Sequence, residues 1–391
     1  MKVKIRTRSM SISTEFISCS AEEIEGNDCL LTQILVRLPL RDVITFKRVS
    51  KRWRSLISAP YFRRCHATLK HRVSGLFLDS DFFWFENKKI NRSCSSSSSF
   101  CPTISDLNSF LITQSCNGLM LVQSEHPPFI YNPTTSEKKT LPSPFPSRDP
   151  LRFQIFALAF DPLRFLGYKV ICIIYCKTSH DDCFQTMIYS SESGVWKPGL
   201  PFRPSFYMGY ASGGVYFKNS IYWIIVSESK TTLRFDLNEE CLKDDMPPLP
   251  ASEPRSRYHH QVLAPACGYM NFLDFESVFC IRVFQLKEDD SSSSSSSRWI
   301  PIHSLDLRST NYKIGFDLKW YSVFYLMEDE EDEMVLLVRL RNKVVAVRLK
   351  DKSYYDVFAL PITEASLSPY CFHVAKGWYR SIPYVESLAS L

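Results

Sequence analysis

Histidines, cysteines and clustered charges are where this chain could do chemistry, and none of them assembles a site. His259 and His260 are adjacent, so on a strand they face opposite ways and cannot both clamp one metal ion. Cys172 and Cys176 would share one face of a strand, but four extended residues hold them roughly 13 Å apart, too far for a common zinc bound at about 2.3 Å. Both read better as core thiols. The acidic run Glu328–Glu333 lacks the spaced carboxylates and glycine turn of a calcium loop, so it reads as a solvated connection between strands.

Nucleophilic and phosphate chemistry are equally hard to place. The chain has no GxGxxG, no GxxxxGK[ST], no GxSxG and no HExxH, and only 12 glycines in 391 residues, so phosphate-cradling loops are not expected. No cofactor and no metal follows from such a sequence. The stretch KRVSKRWRSLIS (47–58) could pass for a nucleic-acid helix. That function needs most of its cations on one face, free to reach phosphates. Trp53, Leu56 and Ile57 claim a face for packing, which leaves a modest basic patch.

With catalysis unsupported, binding becomes the leading expectation, and composition bounds it. Hydrophobic residues make up 45% and charged residues 23%, enough apolar surface for a packed core. The longest unbroken apolar stretch is Val170–Cys176, far short of the ~18 residues of a membrane-spanning helix, so no membrane partner is expected. The N-terminal MKVKIRTRSMSIST has no apolar core and is no secretory signal. Thirteen cysteines is an odd number, none forms a C-x-x-C pair, and Cys172, Cys176 and Cys280 sit in apolar runs. Reduced thiols in the cytoplasm or nucleus fit this better than a disulfide framework. Residues 1–75 hold 15 Lys and Arg against 6 Asp and Glu, leaving 32 against 35 for the remainder. Opposite charge in the two parts points to two different partners.

The elements divide in the same place. From Asn27 the apolar positions Leu30, Leu31, Ile34, Leu35 and Leu38 follow helical spacing, with Asn27 or Asp28 as cap and Pro39 as stop. A second helix is expected at Leu40, Val43, Ile44 and Phe46, and a third after Ser50, ended by Pro60. Three short helices bury little area alone and should need a partner. After about residue 72 short β-branched and aromatic runs take over: SGLFLD (74–79), GLMLVQ (118–123), YKVICIIYC (168–176), FKNSIYWIIV (217–226), VFCIRVFQL (278–286), VLLVRL (335–340) and KVVAVRL (343–349). No helix interrupts them, so the sheets should be antiparallel. A unit of strand, polar turn and Trp- or Leu-Pro close begins at 131, 189, 235, 284 and 347. Its period near 50 predicts propeller blades of the kelch type. The expected fold is mainly β with a small N-terminal α module: a basic tail at 1–23, three helices within 24–66, and a kelch-like β-propeller of five to six blades at 73–385. Ser95–Ser99 and Ser291–Ser297 read as loop insertions.

Residues 28–58 resemble an F-box of the plant type, through Leu30-Leu31-x-x-Ile34-Leu35, Arg37-Leu38-Pro39 and Phe46-Lys47-x-Val49-Ser50-Lys51-x-Trp53. Downstream, SCNGLMLVQ, YNPTTSEKKTLP, LAFDPLRFLGYKVICI and IYSSESGVWK resemble the F-box-associated, kelch-like domain of the same plant family. The resemblance implies a substrate-recognition subunit of a Skp-cullin-F-box (SCF) ubiquitin ligase, non-catalytic itself. Its F-box would bind the Skp adaptor, and through it cullin and RING subunits, while its propeller would recruit an unidentified protein for ubiquitination. Carried over onto this chain, the adaptor-facing positions are Leu30, Leu31, Ile34, Leu35, Leu38, Pro39, Val43, Val49 and Trp53. The family usually has Leu-Pro just before the first helix, where this chain has Gly26-Asn27. The competing expectations are a nucleic-acid-binding protein using the basic helix, and an enzyme using a propeller pocket.

Overall fold

The computed structural model describes residues 23–24, 26–69, 73–78, 81–85, 111–123, 127–144, 154–165, 167–177, 182–202, 210–211, 213–226, 231–243, 245–250, 261–276, 280–288, 297–307, 322–329, 331–340, 343–359 and 381–391. Nearly all of the basic tail, the Ser95–Ser99 tract, His259 and His260 lie outside them, as do Ser291–Ser296. The chain divides into two compact units, residues 1–70 and 71–391.

From Asn27 onward the described residues of the first unit form four helices in succession: α1 (Asp28–Leu35), α2 (Leu40–Phe46), α3 (Lys51–Ser58) and α4 (Pro60–Ala67). The side-chain oxygen of Asn27 caps α1, accepting from the N–H groups of Cys29 at 3.0 Å and Leu30 at 3.2 Å. Such a cap typically contributes about 1 kcal/mol. Ser50 caps α3 through the N–H of Trp53 at 3.1 Å. The fourth helix departs from the expectation of three. Pro60 does stop α3, but it is also the first residue of α4, where its missing N–H is no loss and its fixed φ suits the helix. One turn on, Phe62 and His66 are buried from α4.

The second unit opens on β1 (Gly75–Leu78) and β2 (Asp81–Trp84) and continues as five blades. The first holds β3 (Leu111–Cys116), β4 (Leu119–Gln123), β5 (Phe129–Asn132) and β6 (Glu137–Thr140). The second holds β7 (Gln154–Ala159), β8 (Lys169–Lys177), β9 (Asp182–Ser190) and β10 (Val195–Pro198). The third holds β11 (Tyr210–Ala211), β12 (Val215–Phe217), β13 (Ser220–Val226), β14 (Thr231–Asp236) and β15 (Cys241–Lys243). The fourth holds β16 (Gln261–Ala266), β17 (Tyr269–Phe275), β18 (Cys280–Glu288) and β19 (Ser297–Asp306). The fifth holds β20 (Ser322–Glu328), β21 (Met334–Arg339), β22 (Lys343–Arg348) and β23 (Tyr354–Ala359). Every strand pairing among the described residues is antiparallel, for instance Tyr131 with Lys138 and Val347 with Tyr354.

The run FKNSIYWIIV, read as one strand, is two. Lys218 and Asn219 take positive φ of 42° and 65° and form the two-residue turn joining β12 to β13. The repeating unit seen in the sequence is the hairpin of the last two strands of each blade. Its turns are set by side chains: Asn132 accepts from the N–H of Thr134 at 2.9 Å, Asp236 from Asn238 at 2.8 Å and Asp351 from Ser353 at 2.8 Å. These are local turns that Asn and Asp favour.

Cores lie in the seams between blades. On β8, Val170, Cys172 and Ile174 pack with Leu119, Leu121 and Leu158, while Ile171 and Ile173 pack with Trp223 and Phe235 of the third blade. A strand buried on both faces must be apolar at every position, which is why this run does not alternate. Burial pushes the Cys116 thiol up to about 12 and the Cys172 thiol higher, keeping both protonated as core groups. The ring closes through β24 (Ser381–Tyr384), which pairs with β1 in a three-stranded sheet. Leu76 of that sheet packs with Val335, Leu337 and Val344, and Phe77, Phe82 and Tyr384 pack with Met120 and Val122. Both ends of the unit are therefore built into one sheet between the fifth and first blades. Because every seam is closed by the unit's own strands, a fragment of residues 73–391 should unfold in one cooperative thermal transition. A fragment soluble only with residues 24–66 attached would mean that the two units share a core.

The acidic run Glu328–Glu333 is more than a solvated connection. Asp329 is buried, accepting from the N–H groups of Glu331 and Glu333 and from Arg348 Nε at 2.9 Å. Burial pushes its carboxyl up, but the two N–H groups and the guanidinium outweigh that and hold it below the ordinary carboxylate range. Asp329 is thus the polar pin of the hairpin joining β20 to β21.

Candidate partner-docking surface

The helical unit sorts its apolar side chains into two sets. Leu31, Leu35, Leu40, Val43, Ile57 and Phe62 are buried, and they form the core that α1 to α4 share. Leu30 and Ile34, one turn apart on α1, are 42% and 46% exposed, and Val49 is 59% exposed. Leu38 and Trp53 are half-buried, and Pro39 is exposed. The nine positions expected to face a partner therefore separate by burial. Leu31, Leu35 and Val43 have their side chains inside the unit, so they support the surface, and Leu30, Ile34, Pro39 and Val49 present it. Sequence spacing cannot make this division, because every apolar residue of a short helix fits the same stripe.

Two contacts fix the surface. Arg52 of α3 donates to Asp28 Oδ1 at 2.8 Å and to the carbonyl of Gly26 at 2.7 Å, which ties α3 to the start of α1. The rings of Phe46 and Trp53 meet edge to face, with centroids 5.6 Å apart at 88°, a favoured aromatic geometry. At Gly26 a Cβ would meet nothing within 4 Å, so a side chain is sterically allowed there. Sequence reasoning missed Tyr61 and Leu69, which are 62% and 41% exposed on and just after α4. The signal for them was Pro60 as a first helical residue.

The basic stretch 47–58 is divided as well. Ile57 is fully buried, and Arg52 is held by Asp28. Lys47, Arg48, Lys51 and Arg54 line a cavity of about 480 Å³ with Ile44 and Ser50. Among the described residues no group of three or more His, Cys, Asp or Glu is arranged to hold a metal ion, and no helix is long and apolar enough to cross a membrane.

Comparison with known proteins matches both units. Residues 27–65 match the family model of the F-box domain, and residues 78–391 match that of the F-box associated beta propeller domain. The chain is 29% identical to the F-box protein At5g07610 of Arabidopsis thaliana, an alignment covering 96% of this chain and 95% of the relative. It is 25% identical to the F-box/kelch-repeat protein At2g43445 of the same plant, over 54% of this chain and 50% of the relative. Among solved structures, an oligogalacturonate lyase from Vibrio parahaemolyticus is similar at a TM-score of 0.36 and 6% identity, covering 64% of this chain and 65% of that one. A likeness that distant says nothing about chemistry here.

Proposed function

The chain belongs to the F-box proteins that carry an F-box associated β-propeller domain, and from that membership we propose that it is a substrate receptor of an SCF-type ubiquitin ligase. The helical unit docks a Skp adaptor, which links it to cullin and RING subunits, and the propeller holds the protein to be ubiquitinated. The chain itself carries no catalysis; the ligase chemistry belongs to its partners. One observation supports this reading above the others. A unit of four short helices leaves Leu30, Ile34 and Val49 in water, an apolar surface with no use in an isolated module but suited to a partner's helices. Reduced, partly buried cysteines suit a cytoplasmic or nuclear location.

Co-purification with a Skp adaptor tests the proposal. An apolar helix interface should survive moderate salt, whereas nucleic-acid binding through the cations of 47–58 should collapse as salt rises. Adaptor capture that disappears with salt, or fails altogether, would remove the receptor reading.

A further inference from the structure

Two local rules of β structure are broken within one patch of the propeller. The first break is at Lys218. Two-residue turns with positive φ at both positions favour Asn-Gly, and the first blade obeys with Asn117 and Gly118, at φ 46° and 91°. The fourth blade uses Cys267 and Gly268, at 51° and 75°. The third blade instead places the long side chain of Lys218 in the left-handed region, at φ 42°, followed by Asn219. The second break is between β18 and β19, where Lys287 and Arg298 stand directly opposite each other. Like charges in that relation destabilise a sheet.

Both breaks surround one exposed aromatic ring. Tyr269, the first residue of β17, is 41% exposed. Lys218 Nζ lies 5.7 Å from its ring centroid and Lys287 Nζ 5.5 Å. Lys218, Lys287 and Arg298 are all exposed, and none has an ion-pair partner among the described residues. Several other cations of the propeller are paired: Lys169 and Lys197 share Glu240, Arg282 meets Asp274, and Arg348 meets Asp329. What sets this patch apart is the clustering: two lysines meet at one tyrosine, and an arginine stands opposite one of them.

We propose that this patch receives an acidic segment of the protein the propeller recruits. Lys218, Lys287 and Arg298 take its carboxylates, and Tyr269 is the aromatic anchor. Tyr and Arg are the residues that dominate interface energies, and a guanidinium takes a carboxylate in a fixed, two-pronged geometry. An anion seated here also offsets the Lys287–Arg298 repulsion, so the sheet loses its local conflict when the segment binds. An acidic peptide suits the site better than a nucleic acid, because the chain beyond residue 75 has 32 Lys and Arg against 35 Asp and Glu. A short segment with a few carboxylates is matched by three clustered cations, whereas a long polyanion would also meet the net negative remainder. The inference rests on the reading that the propeller is the recruiting unit.

The test uses the full chain bound to its adaptor and a fluorescein-labelled 12-residue peptide with three Asp or Glu among Ser and Gly and one central Leu, titrated by anisotropy. Lys287→Glu is the decisive variant. It turns a repulsive cross-strand pair into an attractive one, so Tm should rise while peptide affinity falls about tenfold or more. Lys218→Asn should relieve the turn, raise Tm slightly and weaken binding several-fold. Lys139→Glu, on β6 of the first blade, should change neither. Equal peptide affinity for Lys287→Glu and the parent chain would overturn the proposal, as would tighter binding of a 12-residue oligothymidylate than of the peptide. A falling Tm in Lys287→Glu would assign that lysine to the fold and also overturn it. Adaptor capture, measured on the same proteins, separates the two readings. Peptide failure with adaptor capture intact sinks this inference alone, and adaptor failure with peptide binding intact sinks the receptor reading alone.

Discussion

Ile34→Asp should abolish adaptor capture and leave the helical unit folded, while Leu35→Ala should unfold the unit. The two residues are neighbours on α1 with opposite environments: Ile34 is 46% exposed and Leu35 1%. An Ile buried against a partner contributes about 1.5 to 3 kcal/mol, and a carboxylate forced into that contact without a partner costs several more. The combined loss is on the order of 4 kcal/mol, or about a thousandfold in affinity. In the free protein Ile34 is in water, so replacing it should leave the helical circular dichroism and its melting curve nearly unchanged. Leu35→Ala removes a fully buried side chain, at a cost of about 2 to 5 kcal/mol. A unit this small commonly has no more than about 3 to 5 kcal/mol to lose, so its helical signal should melt at or below room temperature. Leu30→Asp, one turn earlier on the same exposed face, should behave like Ile34→Asp. Calorimetric titration against the adaptor measures the first effect and thermal dichroism the second. An Ile34→Asp protein that binds like the parent chain would place the docking surface elsewhere.

The contrast between Ile34 and Leu35 marks the limit of what the sequence carried. Helix starts were legible because a cap is local chemistry: Asn27 and Ser50 act on N–H groups two or three residues away. The blade period was legible for the same reason, since Asn132, Asp236 and Asp351 each shape a turn with their own neighbours. Burial is not local. Leu30, Leu31, Ile34 and Leu35 share one composition and one spacing, and only the packing of α2, α3 and α4 decides which two are covered. Lys218 was hidden within an apparent strand because lysine is a poor turn signal, so its left-handed backbone had no trace in residue type. Asp329 looked like one carboxylate among several. Its partner Arg348 is 19 positions away on another strand, a distance at which spacing carries no information.

The same separation between local and distant roles shows at Asn132, and Asn132→Ala should lower the propeller's unfolding free energy by about 3 kcal/mol. In the sequence Asn132 reads only as a turn residue, and its Oδ1 does hold the N–H of Thr134. Its Nδ2 does something else. It donates to the carbonyl of Ser387 at 3.1 Å and to that of Ala389 at 2.7 Å, both more than 250 positions away. The segment that follows β24 is thereby held over the first blade. Thr134 Oγ1 accepts from the N–H of Ser387 at 3.1 Å, and Ala389 packs among Cys116, Leu119 and Leu158. Gly118 makes room for it, since a Cβ there would lie 2.3 Å from that of Ser387. Asn132 is fully buried, so truncation leaves two carbonyls and an N–H short of a partner where water enters poorly, at about 1 to 3 kcal/mol for each group left unsatisfied. For a unit of this size the loss corresponds to roughly 4 to 5 °C in Tm. Asn132→Asp distinguishes the two roles. Aspartate keeps the acceptor that makes the turn but replaces the donor with a second oxygen facing two carbonyls, so it should be at least as damaging as alanine. Hydrogen exchange should show the amides of 387–391 losing protection before those of β4 and β5 in either variant. An Asn132→Asp protein as stable as the parent would mean that the turn is all this residue makes.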